Sequence, residues 1–595
     1  MKRECGVLLA ISSLPSSYGI GDFGKEAYRF VDFLVSSGQS LWQILPLCPV
    51  EYGNSPYQSP STFAGNFLYL DLENLVNNEY LTQKDIDILK QEVSYIDYEY
   101  IKSQKKSLLR KASQAFFYKK KEEKDFKKFQ EENKFWLEDY ALFLALNRKF
   151  KGKMWNTWQK EYKFREKKFI EEAKKIYQEE YLYESFIQYY FHKQWKNLKD
   201  YANSKGIKII GDLPIYAATH SADTWQNPNL FCFDKHLKIK SVAGCPPDYF
   251  SKTGQLWGNV LYDWKEMKKN SYSWWIQRVK HSFLLYDILR LDHFRGFASY
   301  WAVHFGEKTA INGKWKKGPR IDFFRKLEDK IPNMDIVAED LGTLTPDVFK
   351  LLEQTKYPNM KVLQFGLTEW DNMYNPKNYQ ENSVAYTGTH DNMPIVEWYA
   401  SLNEKEKYIC DENLKNFLKD FNSNIWEPIQ WRAIEALYAS KSNRVIVPLQ
   451  DILGLGKDSR INTPSTVGDN WSWRIYWNYR HNDLENKLYN LAKLVKGKIM
   501  EFNKEKWKEK LEERLLENFS VTLKDASPFE VYRALGETVM SFIAKDWYET
   551  KQEYSKTKQA FYLSAEFLMG RALGNNLINL GIDKEVKEFL QELGI

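Results

Sequence analysis

The chain reads as an α/β protein built on a (β/α)8 TIM barrel, with a large helical insertion between strands 2 and 3 and an α-helical C-terminal extension. Three observations carry that reading. Eight short β-rich runs, mostly separated by helical patterns, lie between residues 5 and 449. Several of these runs stop abruptly at an acid, as buried parallel strands do when their C-terminal ends open into a site. Helical periodicity alone fills the stretch from about 71 to 202 and interrupts the alternation once. A doubly wound open sheet lacks the Gly-x-Gly-x-x-Gly it would need after the first strand. No P-loop and no His-Glu-x-x-His is present.

Taken in order, residues 5–11 predict the first strand and 25–37 an amphipathic helix closed by Gly38, which can take the left-handed position. Strand two is expected at 41–45, stopped by Pro46. The loop 53–60 is rich in turn formers and carries Tyr57. Within the insertion, Trp136, Leu137, Tyr140, Ala141, Phe143 and Leu144 recur at helical spacing. Such insertions at the site-bearing end of a barrel commonly shape the cleft. The remaining strands are expected at 206–212, 283–291, 335–340, 360–365, 383–387 and 444–449. Thr345-Pro346-Asp347 predicts an N-cap and a first-turn proline. Beyond Met500 a charged linker helix is expected at 501–518. Ser527-Pro528-Phe529-Glu530 then opens an apolar-periodic helix with a capping box. The expected domains are 1–500 and 501–595.

At 595 residues the chain exceeds one ordinary core. Aromatics reach 16%, with 21 Trp and 38 Tyr, and their flat faces with polar tips suit sugar rings as well as a large core. The net charge of +7 is small for this length, and lysine runs such as 119–124 alternate with acids. No nucleic-acid partner is expected. Five scattered cysteines without a Cys-x-x-Cys pair argue for reduced thiols. With no signal-peptide core and no apolar run of spanning length, a cytoplasmic protein without a membrane partner is expected.

The chemistry centres on the stretch from Asp287 to Gly296. Arg290 stands two residues before Asp292, so on a strand both share a face. A guanidinium there favours the carboxylate form, which suits a nucleophile or an electrostatic stabiliser. Alone, the pair is equally a structural ion pair. Carboxylates recur at other expected strand ends: Asp212, Glu339 and, after the seventh, Asp391. Asp340 and Asp347 read instead as helix-capping or salt-bridge residues. Acids crowded at one mouth repel each other unless a reaction uses them. Two carboxylates flanking a scissile bond meet the requirement of glycosidic chemistry. Arg290 marks Asp292 as the ionised member. Glu339, behind Ile336-Val337-Ala338, fits acid/base work through partial burial. Asp391, preceded by His390, can bond sugar hydroxyls and hold a distorted ring. A divalent cation held by His293, His390 and the acids is the alternative; no histidine pair has helical spacing, and no metal is expected.

The motifs Asn54-Ser55-Pro56-Tyr57-Gln58-Ser59, Gly211-Asp212-Leu213-Pro214-Ile215-Tyr216, Leu289-Arg290-Leu291-Asp292-His293-Phe294-Arg295-Gly296, Ala338-Glu339-Asp340-Leu341-Gly342 and Gly388-Thr389-His390-Asp391-Asn392 together resemble the amylomaltases. These are 4-α-glucanotransferases, or disproportionating enzymes, of the α-amylase superfamily. Ala243-Gly244-x-Pro246-Pro247-Asp248-Tyr249-Phe250-Ser251, Gly254-Gln255-x-Trp257-Gly258-Asn259, Gln450-Asp451-x-Leu453-Gly454-Leu455-Gly456 and Asn462-Thr463-Pro464 extend the match, which runs from about 5 to 494. The resemblance implies transfer of α-1,4-glucan segments between maltodextrins by retaining double displacement. Asp292 would be the nucleophile, Glu339 the general acid/base and Asp391 the transition-state stabiliser. Arg290, His293 and His390 would line the donor subsite, and Tyr57, Asp212, Trp257 and Asn462 would contact glucan. Tyr249 and Phe250 would form a mobile loop over the acceptor, where an aromatic lid excludes water; the lesser alternative is a loop anchor buried in the core. Cys245 departs from the family's usual small aliphatic residue. A hydrolase on the same barrel is the alternative.

The tail resembles something else. Tyr562-Leu563-Ser564-x-Glu566-Phe567-Leu568-Met569-Gly570-Arg571 and Asn575-Asn576-Leu577-x-Asn579-Leu580-Gly581 resemble the N-terminal part of glycogen/starch phosphorylases. The resemblance stops before that family's glycine-rich phosphate region and its pyridoxal-phosphate lysine, so no cofactor is expected. A truncated fusion partner, a reading-frame boundary and a docking or self-associating element are the three readings.

Overall fold

The computed structural model describes residues 3–247, 251–342, 344–419, 427–466, 468–495, 504–554, Leu573, Leu577 and 582–592. The chain divides into two compact units, Met1–Val495 and Lys496–Ile595.

In the first unit the described strands are β1 (Glu4–Leu8), β2 (Leu41–Gln43), β3 (Lys208–Leu213), β4 (Ser241–Cys245), β5 (Gln255–Val260), β6 (Ile288–Leu291), β7 (Ser299–His304), β8 (Lys314–Lys317), β9 (Ile336–Ala338), β10 (Asn359–Val362), β11 (Ser383–Tyr386) and β12 (Arg444–Pro448). Eight of them close a parallel barrel in the order β1-β12-β11-β10-β9-β6-β3-β2. Alternation sorts their side chains. Leu8, Leu41, Ile210, Ile288, Val337, Val384 and Ile446 fill the inside. Their neighbours Val7, Trp42, Ile209, Leu289, Ile336, Ala385 and Val445 face the surrounding helices. Gly211 marks a close approach: a Cβ there would lie 2.1 Å from the Tyr286 ring.

The helix after β1 is Lys25–Ser36, and Gly38 follows at φ +71°. The insertion between β2 and β3 is helical, its longest members being Tyr98–Lys119, Lys134–Lys149 and Gln178–Ser204. The fourth barrel strand is shorter than expected, because residues 283–285 end the helix Ser273–Leu285. Asp287 breaks the apolar run there, accepting the Ile209 N–H at 2.8 Å where β3 and β6 begin to pair. A second sheet, β5-β4-β7-β8, is antiparallel and was not expected from the sequence. Its edge strand β8 is exposed at every position, so it carries no alternation to read.

In the second unit, helices Lys504–Phe519, Pro528–Tyr554 and Asp583–Glu592 are described. Ser527 and Glu530 form the expected capping box, with the Ser527 N–H on Glu530 Oε2 at 2.7 Å. The first helix is not a linker. Trp507, Leu511 and Leu515 recur every fourth residue and are buried with Leu535, Val539 and Phe589. The phosphorylase-like motifs lie outside the described residues, except Leu577. Among the described residues no helix is long and apolar enough to cross a membrane.

Candidate active site

The C-terminal ends of the barrel strands bring the predicted acids to one mouth. Asp212 is the penultimate residue of β3, Asp292 follows β6, Glu339 follows β9, and Asp391 lies in the loop after β11. Arg290 sits beneath them, its side chain 5% exposed. Its Nη1 donates to Asp212 Oδ2 at 2.6 Å and Oδ1 at 2.8 Å, and to Asp292 Oδ1 at 3.1 Å. The sequence assigned this cation to Asp292 alone; the structure divides it, with the shorter contacts going to Asp212. The cause is register, since β3 pairs with β6 and sets Asp212 beside Arg290.

Just past Asp292 the chain turns sharply: His293 has φ +49°, a left-handed conformation uncommon outside glycine. The turn aims the His293 N–H at Glu339 Oε2, 2.6 Å away, while the Leu341 N–H holds Oε1 at 2.9 Å. Glu339 is thus fixed against the backbone of the residue next to Asp292. Burial raises the pKa of both acids. For Asp292 the Arg290 charge opposes the rise while Asp212, Glu339 and Asp391 add to it. For Glu339, Arg290 and the two N–H bonds oppose it. The mouth has more acids than cations, so the pair tends to keep a proton.

Asp391 is the most open of the acids, its side chain 45% exposed against 25% for Asp292 and 1% for Asp212. Asn462 Nδ2 donates to its Oδ1 at 2.7 Å, and Arg460 Nη2 to its carbonyl at 2.8 Å. Tyr57 links the two sides of the mouth: its hydroxyl donates to Asp212 Oδ2 at 2.7 Å and meets His390 Nε2 at 3.0 Å. The Tyr57 and His390 rings stack at 5.4 Å. Trp257 on β5 stands edge-on to the His293 ring at 4.8 Å, so the second sheet contributes an aromatic wall. Burial holds His390 below the usual imidazole range and His293 at about 3, leaving both neutral near pH 7. Among the described residues no group of three or more His, Cys, Asp or Glu side chains is arranged to hold a metal.

Tyr57, Asp212, Trp257, Arg290, Asp292, His293, Glu339, His390, Asp391 and Asn462 therefore meet around one mouth, and Tyr249 and Phe250 lie outside the described residues. Asp340 instead binds the Met360 N–H at 2.9 Å, and Asp347 pairs with Arg320 at 3.8 Å. Arg460, two residues before Asn462, reaches the mouth as well, through the Asp391 carbonyl, and no sequence motif marked it. Gln58 stood in a motif without a role of its own, yet its Nε2 donates to Asn259 Oδ1 at 2.8 Å and to the Trp257 carbonyl at 3.2 Å; Trp471, whose ring lies 5.7 Å from both Tyr57 and His390, was not singled out at all. No local pattern announced Trp471. A cavity of about 540 Å³ lies at the opposite end of the barrel, where Arg444 is neutralised by Asp335 and Glu4. None of the residues gathered at the mouth lines it.

A family model described as 4-alpha-glucanotransferase matches residues 9–479. The chain is 47% identical over 494 residues to a 4-alpha-glucanotransferase of Clostridium butyricum, covering 81% of this chain and 99% of that one. It is 43% identical to a 4-alpha-glucanotransferase of Aquifex aeolicus, covering 80% and 96% of the two chains. The solved structure of the amylomaltase from Streptococcus agalactiae in complex with acarbose superposes with a TM-score of 0.79 at 37% identity, covering 83% of this chain and 99% of that one.

Proposed function

The chain belongs to the 4-alpha-glucanotransferase family, and from that premise we propose how its side chains move an α-1,4-glucan segment from one maltodextrin to another. Protonated Glu339 gives its proton to the glycosidic oxygen while Asp292 attacks the anomeric carbon. The C–O bond breaks, the reducing-end fragment leaves with the proton, and a β-glucosyl ester forms on Asp292. Glu339, now a carboxylate, takes the proton of an incoming 4-hydroxyl, whose oxygen displaces Asp292. Two inversions leave the product α-linked. Asp391 bonds ring hydroxyls and favours the distorted sugar. Tyr57, Asp212, Arg290, Trp257, His293, His390 and Asn462 line the bound glucan, and Tyr249 and Phe250 are assigned to acceptor binding by the family resemblance alone.

The observation that carries this reading is the His293 N–H bond to Glu339. It holds the acid/base beside the nucleophile, as a retaining mechanism requires. Arg290 touches Asp292 and favours its ionised form, which suits the nucleophile and leaves the acid/base role to Glu339. The amylomaltase of Streptococcus agalactiae, 37% identical to this chain, is solved in complex with acarbose. Every step uses side-chain carboxylates, so the reaction needs no metal or cofactor. The scattered thiols fit a cytoplasmic setting. The segment 501–595 is proposed as a phosphorylase-like element that acts in docking or self-association.

Purified protein incubated with maltotriose, with and without inorganic phosphate, tests the reading. Glucose plus a ladder of longer maltodextrins, unchanged by phosphate and abolished by Asp292→Asn, is the expected result. Glucose and maltose alone would make the protein a hydrolase. Glucose 1-phosphate would assign activity to the tail.

A further inference from the structure

The segment carrying His390 and Asp391 runs from Thr387, just after β11, to Ile395, which opens the helix Ile395–Ser401. Both ends of it bond to a single side chain. Asp451 Oδ2 accepts from Thr387 Oγ1 at 2.5 Å, and Oδ1 accepts from the Ile395 N–H at 2.7 Å. Asp451 lies directly after β12 in the short helix Leu449–Ile452 and is 1% exposed. No ion pair with it is found among the described residues. A carboxylate buried against two neutral donors is costly, and burial raises its pKa to about 6. Its neighbour Gln450 serves an adjacent loop, donating from Nε2 to the Ser459 carbonyl at 3.2 Å. That loop continues into Arg460 and Asn462, which bond the Asp391 carbonyl and carboxylate. Two consecutive side chains at the end of the last strand thus reach both loops that meet at Asp391.

We propose that Asp451, backed by Gln450, is a positioning residue for Asp391: it holds both ends of the 387–395 loop so that the Asp391 carboxylate meets the sugar ring in one orientation. This rests on the stabilising role given to Asp391 above. The requirement is one of hydrogen-bond geometry. An asparagine at 451 accepts the Ile395 N–H with its carbonyl and donates to the Thr387 hydroxyl, which can turn to accept. An alanine does neither, and the loop then samples orientations in which Asp391 misses the ring.

The test compares Asp391→Asn, Asp451→Ala, Asp451→Asn and Thr387→Val by initial rates on maltotriose, with thermal melts alongside. Asp451→Ala is expected to lower kcat by about 30-fold or more with KM within about threefold, because the lost contact acts on the transition state. Asp451→Asn should return kcat to within about fivefold of wild type. A purely structural role would lower Tm and leave kcat per folded molecule unchanged. If Asp451→Ala keeps kcat while Asp391→Asn is inactive, the inference is overturned and the reading of Asp391 stands. If Asp391→Asn is itself fully active, both are overturned. Should Asp451→Ala not fold, Thr387→Val carries the test alone, with an expected kcat loss of about 3- to 10-fold at unchanged KM. No loss would overturn the proposal.

Discussion

Replacing Arg290 by glutamine removes the cation that Asp212 and Asp292 share, and the consequence is a displaced pH profile. The Arg290–Asp292 contact is 3.1 Å, which sets a Coulomb ceiling of about 5 kcal/mol at an effective dielectric of about 20. A neighbouring arginine typically lowers a carboxylate pKa by about one to three pH units, or about 1.4–4 kcal/mol. Asp292 attacks only when ionised, so raising its pKa moves the acid limb of kcat/KM upward. Glu339 also feels Arg290 and acts first as an acid, so its rise moves the alkaline limb upward too. The bell slides to alkaline pH, further on the acid side because Asp292 touches the guanidinium. Below the acid limb the loss in kcat/KM is expected to be about 10- to 1000-fold, and on the alkaline side of the optimum much smaller. Initial rates on maltotriose from pH 5 to 9, with melts at each pH, make the measurement. Arg290→Lys retains the charge and should shift the profile less. A loss equal at every pH, with both limbs unmoved, would refute the argument and leave Arg290 a binding residue only.

Tyr57→Phe deletes the hydroxyl joining Asp212 to His390, and kcat/KM on maltotriose should fall about 10- to 100-fold; a loss under threefold would remove Tyr57 from the site. Glu184, 6% exposed on the helix Gln178–Ser204, has its pKa raised to about 7 by burial. The folded protein keeps its proton up to about pH 7, whereas the unfolded chain releases it near 4.3. Native stability is therefore fullest below the lower value and lost as pH climbs to the upper one. Glu184→Gln should add up to about 3 kcal/mol at pH 8 and almost nothing at pH 4.3 in denaturant melts; an equal gain at both would contradict this. A chain ending at Val495 keeps the closed barrel and every carboxylate of the mouth. It should turn over maltotriose at the full-length rate, and an inactive, well-folded product would tie the tail to catalysis.

What was legible locally follows from strand physics. Leu41, Ile209, Val337 and Val445 lie in runs buried on both faces, and such runs show as unbroken apolar stretches ended by a polar residue. That made all eight barrel strands visible, with errors at their ends where a 3-10 turn such as Leu363–Phe365 continues the apolar character. The second sheet was invisible because β8 is solvated throughout and β4 contains Gly244, so neither carries a period. Charge misled at 504–519: the lysines and glutamates masked a stripe of Trp507, Leu511 and Leu515.

By itself the sequence determined the barrel, the helical insertion, and which acids stand at strand ends, because backbone periodicity and the abrupt end of an apolar run are local properties. Only the tertiary structure decided how those acids share their surroundings. That Arg290 leans more on Asp212 than on Asp292 depends on the β3–β6 register. That His293 hands its N–H to Glu339 depends on a left-handed turn meeting the end of β9. That Asp451 holds both ends of the Asp391 loop depends on β12 lying beside β11. Each joins residues distant in sequence through hydrogen bonds that exist only once the barrel closes, and no local pattern encodes such a contact.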